Sequence, residues 1–247
     1  MTESLDTLTE GAKLHGFTAA PVYLDDADKP LGARFVHDKT GFTFDYLRIE
    51  SAPQGFIWVN SFPTDDQGEP HTQEHLLLGK GNRGRRLGSN EAMALVTSNA
   101  YTAQWRTSYT LYTVAGPDAF WGALADHLDA LLNPDYTDEE IRREVRNFGV
   151  DKAPGGGLRL EEKGTVYNVM VGYYEDPEAP ASRALHQMVY GPTHPLALES
   201  GGYPAAIREM TPEDIRAGQA AHDNLANMGM IGAYPSAMSL DDVLVHT

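Results

Sequence analysis

The chain has 247 residues, 19 Lys and Arg against 35 Asp and Glu for a net charge of −16, a hydrophobic share of 41% and no cysteine. That is enough chain for one large domain or two small ones around a buried core, and its acidity argues against nucleic acid, because it forfeits the counterion release that drives phosphate binding. No apolar run is long enough to span a membrane and the acidic Met1–Glu10 segment is no secretion signal, so we expect a cytoplasmic or other intracellular setting with no membrane or nucleic-acid partner.

Residues 1–16 read as an N-terminal extension. From Phe17 the pattern is strand-like, with Thr18–Leu24, Gly32–His37, Phe42–Ile49 and Phe56–Phe62 separated by turn-forming runs. A helical stretch follows near Glu69, and then a second strand pair, Tyr101–Trp105 and Ser108–Ala115. Pro117 opens a helix that carries Phe120, Leu124, Leu128, Leu131 and Leu132 at spacings of three and four. Thr137 and Glu140 form a capping box for another helix, expected to reach about Phe148. Pro154-Gly155-Gly156-Gly157 reads as a loop between helices, with helical pattern over 160–174, 181–189 and 212–222, and a last strand over 228–234. Strands, then helices, then a strand give an α+β fold: a mostly antiparallel sheet with helices on one face.

The segment that carries chemistry is His71-Thr72-Gln73-Glu74-His75. On a helix, His71 and His75 lie one turn apart on one face with Glu74 beside them. Two imidazoles can ligate a divalent metal, and a carboxylate there can take a proton from metal-bound water. Without cysteine, any metal must be held by His, Asp or Glu; such ligands suit Zn2+, and admit manganese or cobalt. The basic run Lys80, Arg83, Arg85 and Arg86 reads as a solvated loop, and the acid-rich helix Asp138–Glu144 as a solvated face.

The pentad and three later motifs, Ser98-Asn99-Ala100-Tyr101-Thr102, Glu162-Lys163-Gly164-Thr165-Val166-Tyr167-Asn168 and Ser200-Gly201-Gly202-Tyr203-Pro204, resemble in order and spacing the N-terminal domain of the pitrilysin and insulin-degrading-enzyme family, in its presequence-protease branch. The resemblance implies a single domain over 17–247, incomplete relative to a multi-domain zinc metalloendopeptidase that cleaves short or unfolded peptides. His71 and His75 would hold one zinc ion, and Glu74 would be the general base. Asn99, Ala100 and Tyr101 would lie on an edge strand that adds the peptide backbone. A homologous C-terminal domain or partner subunit would complete the chamber.

The chain departs from this family at the third ligand. The branch has Tyr/Phe-Asn-Glu-Met where this chain reads Tyr167-Asn168-Val169-Met170, so Val169 stands where a glutamate would bind the metal. Glu162, seven residues earlier on the expected helix, is the nearest substitute, but two turns place it about 10 Å away along the axis. Two readings follow: a zinc peptidase domain with weakened metal binding and impaired activity, or a catalytically silent homologue serving as an assembly or peptide-binding subunit.

Overall fold

Five strands open the chain in the computed structural model, which describes residues 4–247: β1 (Lys13–Leu14), β2 (Phe17–Leu24), β3 (Pro30–His37), β4 (Thr43–Arg48) and β5 (Gln54–Asn60). Helices α1 (Glu69–Leu77) and α2 (Gly81–Met93) lead to β6 (Val96–Ala103) and β7 (Arg106–Thr113), then α3 (Pro117–Leu132) and α4 (Asp138–Val145). A hairpin of β8 (Asn147–Lys152) and β9 (Leu158–Lys163) precedes α5 (Thr165–Tyr174), α6 (Glu178–Tyr190), α7 (Pro204–Ile207) and α8 (Pro212–His222). The chain closes with β10 (Met228–Tyr234) and α9 (Leu240–His246).

Among the described residues one eight-stranded sheet runs β1-β2-β3-β4-β10-β5-β7-β6. It is antiparallel except where β10 inserts between β4 and β5, parallel to β4 and antiparallel to β5. The fold is therefore α+β with a mixed, mostly antiparallel sheet. Strand alternation separates its two faces. Ile57, Val59, Tyr109 and Leu111 are buried, whereas Phe56, Tyr112 and Ile231 are exposed. Helix α3 packs Phe120, Leu124 and Leu131 into this sheet core, as their spacing predicts. No helix among the described residues is long and apolar enough to cross a membrane.

A second core gathers Ile141 and Val145 of α4, Val166, Tyr167 and Met170 of α5, Ile207 of α7 and Ile215 of α8. Helix α1 wedges between the two cores: adjacent Leu76 and Leu77 are both buried, Leu76 in the helical cluster and Leu77 in the sheet core. This double anchorage fixes the helix that carries the pentad.

Three expectations need correction. The segment after the pentad is helix α2, not a loop; it buries only Gly81, Gly84 and Leu87 and is held by Arg83–Asp129 and Arg86–Asp126 ion pairs, so it carries almost no apolar periodicity. The α4 helix stops at Val145, and the glycine run is the turn of the β8–β9 hairpin. Helix α5 begins at Thr165 rather than near Leu160, which places Glu162 in a strand.

Candidate functional site

The loop before α1 ends at Gly68, whose backbone is left-handed (φ 76°), and Pro70 stands in the first turn. A Cβ on Gly68 would lie 2.5 Å from backbone atoms of Gly202, so glycine alone lets the start of α1 dock on the Ser200–Gly202 turn. That docking brings the Gly201 carbonyl to His71 Nδ1, 2.8 Å away. A carbonyl only accepts, so Nδ1 carries the proton and Nε2 keeps its lone pair. Burial holds the His71 imidazole below its ordinary pKa, which keeps it neutral at pH 7.

His75 lies edge-on to His71, with ring centroids 4.9 Å apart. Its Nδ1 sits 3.7 Å from Glu144 Oε2, and the other oxygen of Glu144 accepts an ion pair from Lys80 at 2.8 Å. Glu144 is only 3% exposed, which corrects the reading of its helix as a wholly solvated face. Its carboxyl stays below the usual range because His75 and Lys80 outweigh the cost of burial. Each imidazole thus has an oxygen on its Nδ1 side, an arrangement that orients histidines for binding through Nε2.

Glu74 is 8% exposed, and its Oε2 accepts a 2.7 Å hydrogen bond from the Thr102 hydroxyl. Glu74 lines a cleft of about 530 Å3 with His71, Ala100, Tyr101, Thr102, Val169, Met170, Tyr173, Glu199 and Gly201. Strand β6 is the sheet edge along this cleft. Of the three residues expected to bind peptide, Ala100 and Tyr101 line the cleft, whereas Asn99 turns its Oδ1 to the Ala100 N–H at 2.9 Å.

Val169 projects into the cleft, 47% exposed. Glu162 does not replace it: it lies in β9 and its carboxylate is engaged by Arg146 at 2.6 Å and Arg208 at 2.8 Å. Among the described residues no group of three His, Cys, Asp or Glu side chains converges to hold a metal ion. The donor set stops at two imidazoles, so the residues present do not fit a catalytic zinc, which takes three protein ligands. Sequence reasoning missed Glu144, Thr102 and Glu199 as site residues, because each is brought to the pentad by tertiary packing with no local spacing to reveal it.

No protein-family model matches the chain. It is 29% identical over 226 residues to the mitochondrial presequence protease of Mus musculus, covering 88% of this chain and 21% of the relative. Among solved structures it superposes on pitrilysin with a TM-score of 0.68 at 17% identity, over 94% of this chain and 24% of that one. It also superposes on a peptidase M16 inactive domain from Pseudomonas fluorescens, with a TM-score of 0.63 at 14% identity, over 84% of this chain and 48% of that one. The chain thus spans about a fifth of the length of its curated relatives.

Proposed function

The chain belongs to the pitrilysin (M16) family, and on that premise we propose that it is a peptide-binding domain whose hydrolytic centre is only half assembled. The observation that carries this reading is Val169, an alkyl side chain facing the cleft beside His71 and Glu74. Members of the family typically hold zinc. Here two imidazoles would hold it only weakly, so the Lewis acid that would serve Glu74 is poorly retained. The remaining parts suit binding: an open edge at β6, a cleft beneath it, and Ala100 and Tyr101 along its wall, where an extended peptide can add a strand. The proposal includes further domains or subunits that close the chamber, since the relatives are several times longer.

The test is to incubate the chain with short unstructured peptides and analyse the bound fraction by mass spectrometry. Peptides recovered intact support the reading. Steady cleavage that disappears in Glu74→Gln would overturn it.

One observation favours a second reading, in which the domain hydrolyses peptides once another domain or chain supplies a carboxylate. Glu74 is held buried beside the two histidines by the Thr102 hydroxyl, the placement a general base requires. Cleavage that arises only on mixing with a complementary homologous domain, and is lost in Glu74→Gln, would establish it.

A further inference from the structure

Two carboxylates, Glu74 and Glu199, line the cleft, and three others outside its lining are neutralised by this chain's own cations. Glu144 is paired with Lys80, Glu162 with Arg146 and Arg208, and Asp66 with Arg183. Glu74 and Glu199 have no ion pair among the described residues, and no Lys or Arg lines the cleft they share. Glu74 is more than nine-tenths buried, yet its Oε1 receives no hydrogen bond among the described residues while Oε2 accepts only from Thr102. Glu199 is pinned by the Tyr174 hydroxyl, 2.6 Å from its Oε2, and by its own N–H on Asp66 Oδ1 at 2.8 Å. A cation that enters the cleft therefore meets two carboxylates with no competing counter-charge in its lining.

The neighbours of these carboxylates define which cation fits. A metal ion lacks its third donor, and the position of that donor is alkyl. Val169, Met170 and Tyr173 form an apolar and aromatic wall in the same cleft, suited to a methylene stem or the face of a guanidinium. We propose that the cleft takes the Lys or Arg side chain of an extended peptide, its charged head bound by Glu74 and Glu199 and its stem laid on Val169, Met170 and Tyr173. The general base of the family's chemistry becomes the counter-ion of a ligand. This proposal rests on the reading of the cleft as a peptide site.

The experiment measures fluorescence anisotropy of labelled short peptides in the presence of chelator, so that no metal bridges the partners. The probes are a peptide with a single central Lys flanked by apolar residues, and the same peptide with neutral norleucine in place of that Lys. The Lys peptide is expected to bind about tenfold more tightly, the preference shrinking as salt is raised. Glu199→Gln, whose amide oxygen still accepts from Tyr174, should remove most of that preference, as should Glu74→Gln. Equal binding of the two probes overturns the cation site while leaving the peptide-binding reading standing. Failure of both probes to bind overturns both. The wild-type comparison decides the question even if a variant is unstable.

Discussion

The Thr102 hydroxyl donates a 2.7 Å hydrogen bond to Glu74 Oε2, tying edge strand β6 to the helix that carries the histidines. A carboxylate can only accept, so Thr102 must donate; the Thr107 hydroxyl, 3.3 Å away, then donates to Thr102, with buried Ser61 at 3.2 Å behind it. Thr102→Val removes the one side-chain hydrogen bond Glu74 receives among the described residues, and should destabilise the fold by about 1–3 kcal/mol in urea denaturation. Thr102→Ser should recover most of that loss, and a Val variant as stable as wild type would show that Glu74 is solvated.

Gly68 connects backbone geometry to the site. Gly68→Ala combines a left-handed φ with contact to Gly202 backbone, and should cost about 2–4 kcal/mol. Because Gly201 holds His71 Nδ1, the His71 ring signals in an NMR spectrum should shift in this variant more than those of buried His127, which sits by Leu77 and Leu78 at the far end of α1.

Asp223 gives a pH dependence of known sign. It accepts a hydrogen bond from Gln73 at 2.9 Å, and Gln73 in turn accepts from the Tyr136 hydroxyl. Burial pushes the Asp223 carboxyl up to about 7. Its unfolded value is about 3.9, so between those values the folded state holds a proton the unfolded state has lost. Stability should therefore fall as pH rises from about 4 through about 7. Asp223→Asn cannot titrate, and the difference between its Tm and that of wild type should widen over this window. Glu69 and His222 line the same small cavity and titrate in both proteins, so the difference isolates Asp223. Parallel Tm curves would place Asp223 in water.

Much of the architecture was legible where period and chemistry agree. Strands β2 to β5, helix α3 and the Thr137 capping box followed from alternation, three-and-four spacing and a cap, whereas β1 lies in the segment read as an extension. The insertion of β10 between β4 and β5 was not legible, because strand order is a long-range matter. Helix α2 escaped because its glycines and arginines serve close packing and ion pairs; a Cβ on Gly84 would lie 2.7 Å from the Leu77 carbonyl. The hairpin escaped because Phe148, Val150, Leu158 and Leu160 are exposed, and an apolar residue in solvent mimics the stripe of a helix. At the site, helical spacing puts His71, Glu74 and His75 together and the family resemblance pointed to Val169, but Val169, Glu144, Thr102 and Glu199 all reach the pentad through tertiary contacts.

The central claim is that Val169 leaves the metal site one ligand short. Its most direct test is the zinc affinity of wild type and Val169→Glu, measured by competition with a chromophoric chelator. The account predicts weak binding by wild type and an affinity higher by about 100-fold in Val169→Glu, from one added carboxylate ligand. Stoichiometric, tight zinc in wild type, unchanged by Val169→Glu, would contradict it.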